Sequence, residues 1–445
     1  MSIQLSDHFT YSKLLKFTLP SIAMMIFTSI YGVVDGFFVS NFAGDIPFKA
    51  VNLIFPVLMI LATVGFIFGT GGTAVVANTL GAGDPERANR YFSLFVYVAF
   101  GLGVLFAAVG IVFLRPIAHL LGARGLILDN CVAYGRIILC ALPFVVLQYL
   151  FQSFFVAAEK PRLGLLVIVA AGVTNMVLDA VLVILLPRRY KLAGAAIATA
   201  MSQFVGGFVP LIYFFRKNSS ILRLGKTKFD GKAILRACTN GSSEFMSNVS
   251  MNVVAMLYNL QLLKYAGDDG IAAYGVMMYV SMIFSAAFIG YSIGTSPVIS
   301  YHDGAGNHEE VKGILKKSML ILSLCGAAML VAAELLAGPL VRLFVGYAPA
   351  LTQMTIHGFR IFSLAFPLMG FAIFASGFFT ALNDGLTSAL IAFLRTLVFQ
   401  VGAVLLLPLI WGLDGIWISV VAAELMAVVI SAFFLFFKRK KYRYL

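Results

Sequence analysis

The chain has 445 residues, of which 61% are hydrophobic and only 11% are charged. A soluble protein of this length could not bury so much apolar surface, because a single core stops growing at about 250–300 residues. The composition therefore argues against a soluble fold and predicts an all-α membrane protein. The formal net charge of +13 is first explained by membrane topology and not by nucleic-acid binding.

Twelve apolar segments divide the chain, and each is long enough to cross a bilayer as a helix of about 20 residues. The first segment follows a polar start, and its apolar run is too long for a signal peptide, so we expect it to remain as the first helix. The predicted spans are 14–42, 50–78, 91–114, 130–157, 163–187, 192–215, 241–265, 271–300, 314–336, 354–381, 386–408 and 414–437.

Basic residues are distributed unevenly between the loops on the two sides of the predicted membrane. With the N-terminus inside, 21 Lys and Arg residues lie in the inner segments and 8 in the outer ones. Cytoplasmic loops carry such an excess in membrane proteins. The cluster Arg188-Arg189-Tyr190-Lys191 lies on the outer side and opposes the rule. The overall bias predicts that both termini are cytoplasmic.

The chain contains an internal repeat with a shift of 223 residues, because Gly81-Ala-Gly-Asp84 recurs as Gly304-Ala-Gly-Asn307. Each copy follows a long, glycine-bearing apolar segment and precedes another one. A unit of six helices keeps both copies in the same orientation, as in transporters with parallel repeats. We therefore predict two pseudo-symmetric six-helix lobes, over 1–215 and 241–445, with a basic cytoplasmic linker over 216–240 and a basic tail.

Four polar side chains fall at one depth in the outer half of the N-terminal lobe. Asp35 lies about 10 Å from the outer end of helix 1, and Asp179 and Thr199 lie about 12 Å from the outer ends of helices 5 and 6. Asn175 precedes Asp179 by four residues and shares its helix face. An ionisable group inside a membrane costs about 2.5–3.5 kcal/mol, which favours a functional role. Their oxygens suit H⁺ or Na⁺, so we expect them to couple transport to one of these cations.

Other polar and polarisable side chains in the spans are candidates for binding substrate. Glu244 stands in the inner half of helix 7 and Glu424 near the middle of helix 12, where each is a candidate cation contact or a partner for an intramembrane arginine. Methionine adapts its shape and is common on promiscuous surfaces, although in membrane helices it also faces lipid or packs a core. The methionine candidates are Met246, Met251, Met256 and Met282.

Pro20 lies in the first helix, fifteen residues before Asp35. Proline removes one backbone hydrogen bond and kinks a helix. A bend on the helix that carries a titratable carboxylate predicts a hinge, and a static kink is the alternative interpretation.

Several motifs together resemble the multidrug and toxic compound extrusion (MATE) family, in its bacterial branch. They are Val34-Asp-Gly-Phe-Phe-Val39, Gly69-Thr-Gly-Gly-Thr73 with the Gly81-Ala-Gly-Asp84 that follows it, and the second-half counterpart Tyr301–Asn307. The resemblance covers nearly the whole chain. It implies two six-helix lobes in a V shape, and export of cationic amphiphilic compounds driven by inward movement of H⁺ or Na⁺.

The resemblance also implies roles for individual residues. Asp35 and Pro20 match the family's helix-1 aspartate and proline, and Asn175, Asp179 and Thr199 match the polar cluster of the branch that couples in the N-terminal lobe. The sequence departs from the other branch, which couples through acidic residues in helices 7 and 10 of the C-terminal lobe. The resemblance therefore favours an ion site in the N-terminal lobe.

We expect a secondary active antiporter in the plasma membrane of a prokaryote, active as a monomer because one chain supplies both lobes. Its expected partners are small cationic or amphiphilic substrates and the lipid bilayer, with no nucleic acid. No cofactor is expected besides the coupling ion, H⁺ or Na⁺. No metal site is expected either, other than a candidate Na⁺ site at Asp35, Asn175, Asp179 and Thr199.

Four other functions fit the sequence less well. A flippase for a lipid-linked sugar or peptidoglycan precursor usually has extra helices and a basic cavity, whereas acidic residues predominate at depth here. The loop after helix 2 lacks the Gly-x-x-x-Asp-Arg signature of major-facilitator carriers. A membrane enzyme needs a nucleophile–base or metal set at one depth, but the five histidines lie mostly at loops and helix ends. Nothing requires the charged ring or carbonyl filter of a channel, so the flippase is the main alternative.

Overall fold

The computed structural model describes residues 3–346 and 348–444, and the regular elements of that part of the chain are all helical. Ten helices there are long and apolar enough to cross a membrane, and a pair of helices bent by 46° forms an eleventh span. The 74-residue helix Gly231–Gly304 contains two spans, because its backbone leaves helical geometry at Gly267. The predicted all-α membrane fold with twelve spans is confirmed.

We number the spans α1 to α12 in chain order. Their bounds are α1 Tyr11–Phe38, α2 Ile46–Gly81, α3 Pro85–Leu120, α4 Gly125–Ala157, α5 Pro161–Leu185, α6 Lys191–Phe215, α7 and α8 within Gly231–Gly304, α9 His308–Val345, α10 Pro349–Ser363 with Phe366–Ala381, α11 Gly385–Leu406 and α12 Pro408–Tyr442. Short π-helical stretches follow α1 at Val39–Ala43 and interrupt α2 at Ile67–Gly71 and α11 at Leu394–Phe399.

Several helices are longer than the apolar segments that predicted them, because polar residues cap and extend their ends. The helix α3 begins at Pro85, where the Asp84 side chain accepts a hydrogen bond from the Arg87 N–H at 2.9 Å. At the equivalent place in the second half, the Asn307 side chain accepts from the Glu310 N–H at 3.2 Å. Such caps satisfy backbone donors that a helix start leaves free. The last residue of the repeated motif therefore starts a helix in each half.

Two tight reversals between helices depend on one short pattern. Gly267 (φ 61°) joins α7 to α8, and Gly412 (φ 57°) lies at the start of α12. Both belong to a Gly-x-Asp-Gly sequence, Gly267-Asp-Asp-Gly270 and Gly412-Leu-Asp-Gly415. The backbone angles at the first glycine are almost inaccessible to a residue with a Cβ atom. Glycine therefore lets consecutive helices reverse direction with almost no connecting loop.

Buried apolar side chains form two large clusters, one in each half of the chain. The first extends from Ala50 to Ala237, and the second lies mostly between Val254 and Tyr444. The predicted linker 216–240 is not a free connector in the structure, because Leu222 is buried in the first cluster and α7 already begins at Gly231. The division of the chain at this linker stays a prediction.

The two halves contact each other reciprocally at the ends of α2 and α8. A Cβ atom on Gly81 would overlap the carbonyl oxygen of Tyr301, and a Cβ atom on Gly304 would overlap the carbonyl oxygen of Asn78. The shift of 223 residues relates these positions in pairs, so equivalent parts of the repeat pack on each other as in a two-fold interface. Asn78 Nδ2 also donates to Asp303 Oδ2 at 3.0 Å. The absence of side chains at the two glycines lets the backbones touch.

The N-terminal segment, residues 3–10, connects the two halves. The Leu5 N–H donates to Glu159 Oε1 at 2.7 Å, in the link between α4 and α5. The Phe9 N–H donates to Glu310 Oε1 at 2.8 Å, in the first turn of α9. Both Leu5 and Phe9 are fully buried. The segment therefore holds one carboxylate from each half of the molecule.

The reciprocal contact predicts opposite effects for two glycine-to-alanine changes. Gly304→Ala adds a Cβ atom against backbone that cannot move aside, so we expect it to lower the thermal unfolding temperature of the purified protein. Gly101→Ala is the matched control, because nothing lies within 4 Å of the added atom in α3 and alanine favours helix. Thermal unfolding in detergent measures both. Equal unfolding temperatures for the two variants would contradict the tight contact.

Candidate functional site

The structure brings the four predicted coupling residues together where α1, α5 and α6 meet. Thr199 Oγ1 on α6 donates to Asp35 Oδ1 on α1 at 3.3 Å, and Asn175 Nδ2 on α5 donates to Thr199 Oγ1 at 3.5 Å. The carboxyl of Asp35 also interacts with that of Asp179. Two carboxyl groups, an amide and a hydroxyl thus form one cluster, as the sequence predicted. Their role in coupling stays a prediction.

Close packing of α1 on α5 positions this cluster. A Cβ atom on Gly172 of α5 would overlap the ring of Phe27 and lie 3.0 Å from the ring of Tyr31, both on α1. Asn175 and Asp179 follow Gly172 by three and seven residues and so lie on the same face of α5. The missing side chain at Gly172 therefore lets α1 approach closely enough for Asp35 to reach its partners.

Burial leaves several oxygen atoms of the cluster without a donor. Asp179 is fully buried and Asn175 is 1% exposed. Apart from the facing carboxyl of Asp35, no described residue donates a hydrogen bond to either carboxylate oxygen of Asp179, and none donates to the Oδ1 atom of Asn175. A buried charge without a partner costs several kcal/mol. The cluster therefore has the chemistry to hold a proton or a small hard cation, which would supply the missing interactions.

Uncharged polar residues next to the cluster were not predicted. Gln148 Nε2 on α4 donates to the Tyr31 hydroxyl at 3.5 Å, while Gln148 Oε1 and both polar atoms of Gln152 have no hydrogen-bond partner among the residues that the structure describes. Both glutamines are 2% exposed. The sequence does contain a signal for them, because two glutamines four residues apart share one face of an otherwise apolar helix. The sequence analysis considered mainly ionisable side chains and therefore missed this pair.

Glu424 lies away from this cluster and forms an ion pair. Arg395 Nε is 2.9 Å from Glu424 Oε2, and Arg395 Nη2 is 2.8 Å from Glu424 Oε1. The two side chains are 16% and 2% exposed. Such a two-point contact neutralises both charges. The predicted substrate contact at Glu424 is untested, and this pairing favours a structural role.

The remaining candidates also lie apart from the cluster. Glu244 is half-buried on α7, and its backbone carbonyl accepts from Asn248 Nδ2 at 2.9 Å. Pro20 is buried within α1, which continues as a helix through it from Tyr11 to Phe38. The methionine side chains range from half-buried at Met246 to exposed at the other three candidates, Met251, Met256 and Met282. Substrate binding by these residues and a hinge at Pro20 stay predictions.

The ion pair on α11 and α12 predicts a strong non-additive effect on stability. Arg395→Met or Glu424→Leu alone removes one partner of a nearly buried pair, so each should destabilise the fold by about 3–5 kcal/mol. The double variant Arg395→Met/Glu424→Leu should recover most of the loss, because no charge is left unpaired. Thermal unfolding tests this, and additive losses would contradict it. If the double variant is stable but does not transport, the pair has a role in transport beyond stability.

The MatE family model matches the chain twice, over residues 20–181 and 245–405. Multidrug export protein MepA of Staphylococcus haemolyticus (strain JCSC1435) is 25% identical over 435 residues, which cover 97% of this chain and 94% of that protein. Multidrug export protein MepA of Staphylococcus aureus (strain MRSA252) is 25% identical over 421 residues, covering 94% and 92% of the two chains.

A solved structure shares the fold. It is described as the outward-facing conformation of a multidrug resistance MATE family transporter of the MOP superfamily, and it superimposes with a TM-score of 0.93 at 22% identity over 99% of this chain and 98% of that chain. The two matches to the family model fall one in each half of the internal repeat and together include well over half of the residues. The chain therefore belongs to the MatE family, the multidrug and toxic compound extrusion transporters.

Proposed function

We propose that this protein is a secondary antiporter that exports small cationic or amphiphilic organic compounds, and that the Asp35–Asp179 pair exchanges the coupling ion, H⁺ or Na⁺. The observation that carries the proposal is the fully buried carboxylate of Asp179, which faces the carboxyl of Asp35 and receives no hydrogen bond from an N–H or hydroxyl group of the described residues. The relatives named multidrug export proteins support the direction of transport and the kind of substrate.

The pair would act by switching the interaction between α1 and α5. With a proton or cation between the carboxyl groups, the two helices stay together. Once the ion leaves, the two negative charges repel each other; for any pair of unit charges 4 Å apart the repulsion is about 4 kcal/mol at an effective dielectric constant of 20. Since each 1.4 kcal/mol is a factor of ten in a population ratio, a repulsion of this size would change the ratio of two helix positions roughly 10³-fold, which is enough to favour movement of α1. Pro20 is the proposed hinge for that movement.

The two lobes would then alternate in access around the site. The halves are packed together at Gly81 and Gly304, so the described conformation is closed at that end. Parallel-repeat transporters change access by moving one lobe against the other. We place both termini in the cytoplasm of a plasma-membrane protein, and we propose that a single chain is the transport unit.

Neutralising either carboxylate should abolish coupling. We expect Asp35→Asn and Asp179→Asn to reduce ethidium efflux from proteoliposomes to the level of protein-free liposomes, whether a H⁺ or a Na⁺ gradient is imposed. Asp129→Asn is the control, because Asp129 is 63% exposed and pairs with Arg115 far from the cluster. The gradient that drives wild-type efflux identifies the ion. Wild-type efflux in both variants would overturn the proposed site, and no wild-type efflux under either gradient would favour the flippase.

The neutral ligands separate Na⁺ from H⁺ coupling. A proton needs only the two carboxyl groups, whereas Na⁺ needs additional oxygen ligands, which Thr199 and Asn175 would provide. Thr199→Val keeps the shape of the side chain and removes its hydroxyl, so it should weaken Na⁺-driven efflux and leave H⁺-driven efflux largely intact. Thr199→Ser retains the hydroxyl and serves as the control. Equal losses under both gradients would contradict a ligand role for Thr199.

A further inference from the structure

A cavity of about 700 Å³ lies at the start of α1, far from the ion cluster. It is enclosed by the N-terminal segment, the first turns of α1, and the link between α4 and α5. Pro20, its innermost residue on α1, is fifteen residues from Asp35, or about 22 Å along the helix. The cavity is therefore a separate site and not an extension of the cluster described above.

Its mouth has an excess of positive charge. Four basic residues line it, namely Lys13, Lys16, Lys160 and Arg162. Lys13 pairs with Asp7 at 2.8 Å. Within residues 3–346 and 348–444, no ion pair or hydrogen bond engages the side chains of Lys16 and Arg162. A cationic substrate would be repelled here, whereas an anion would be attracted.

The one acidic residue in the lining does not cancel this charge. The carboxylate of Glu159 accepts a hydrogen bond from the Leu5 N–H at 2.7 Å. Burial raises the pKa of Glu159, with the Leu5 hydrogen bond and the nearby charge of Lys160 acting in the opposite direction. The carboxylate is thus occupied by the N-terminal segment, and Lys16 and Arg162 are left to bind an anion from outside.

The inner wall of the cavity is apolar. Phe17 and Pro20 line it from α1, and Leu163 and Leu166 line it from α5. Leu166 is 63% exposed, so this wall opens onto the surface of the helices that faces lipid. Pro20 lies seven residues beyond Lys13, or about 10 Å deeper along α1. The cavity therefore has a basic mouth and an apolar interior, the pattern that suits an amphiphile with an anionic head.

We propose that this cavity binds an anionic lipid, with its phosphate group at Lys16 and Arg162 and an acyl chain along Phe17, Leu163 and Leu166. Basic pockets between helices at a membrane surface recognise such headgroups. The first turn of α5 begins beside the cavity at Pro161 and has no side-chain cap, so its end adds a favourable field for a phosphate. A soluble phosphate ester has the same head chemistry but lacks the acyl chain.

Lipid titration of the purified full-length protein tests the site. Thermal unfolding is followed in detergent with added phosphatidylglycerol, phosphatidylcholine of the same chains, or glycerol 1-phosphate. We expect saturable stabilisation by phosphatidylglycerol alone. Equal stabilisation by phosphatidylcholine would overturn the proposal, because it would show no headgroup recognition. Equal stabilisation by glycerol 1-phosphate would also overturn the proposal, because it would show that the site binds a soluble phosphate ester and does not require a lipid.

Two variants and one control locate the binding. Lys16→Gln/Arg162→Gln should weaken phosphatidylglycerol binding about 30-fold, since each basic residue near a membrane surface contributes about a factor of five. Lys226→Gln/Lys228→Gln removes two exposed charges from the predicted linker and should leave binding unchanged. Ser12→Glu places a negative charge in the lining at the start of α1, where acidic residues favour helix formation, so it should fold and also weaken binding. Unchanged affinity in both cavity variants, or equal loss in the control, would overturn the site.

Discussion

A carboxylate removed from water and from hydrogen-bond donors is stable only when a proton or a cation lies beside it. Asp179 is such a group, and its neighbour is a second carboxyl, Asp35, on a different helix. In the proposed mechanism, the spacing of α1 from α5 would therefore depend on what the two groups hold between them. Binding of a single H⁺ or Na⁺ would then control the position of a whole helix, as the proposed antiport mechanism requires.

The rest of the N-terminal lobe supports that arrangement. Gly172 lets α1 approach α5, and Thr199 reaches across from α6 to fix the orientation of Asp35. Gln148 and Gln152 add buried polar atoms with unmet hydrogen-bonding capacity. In the C-terminal lobe the principal buried charge, Glu424, is already neutralised by Arg395. The two lobes share a fold, but among the described residues the pair of facing carboxyl groups, Asp35 and Asp179, lies in the first.

Much of this organisation was predictable from sequence because membrane helices have a simple geometry. A rise of 1.5 Å per residue fixed the depth of Asp35, Asp179 and Thr199, and a common depth was enough to suggest that they meet. The direction in which each side chain points was not predictable, since it depends on helix packing that sites such as Gly172 determine. For the same reason, the sequence did not identify which residue pairs with Glu424. Helix ends were underestimated because capping by Asp84 and Asn307 extends helices beyond the apolar segments.

The reciprocal contact between the halves has a consequence for how such a sequence can change over time. Gly81 touches the backbone at Tyr301, and Gly304 touches the backbone at Asn78. Most of the apolar core of each half is packed within that half. Where the lobes meet, however, a bulkier residue in either half would push both apart. Duplicated halves are therefore free to diverge in their separate interiors, while the positions at which they touch must change together or remain as they are.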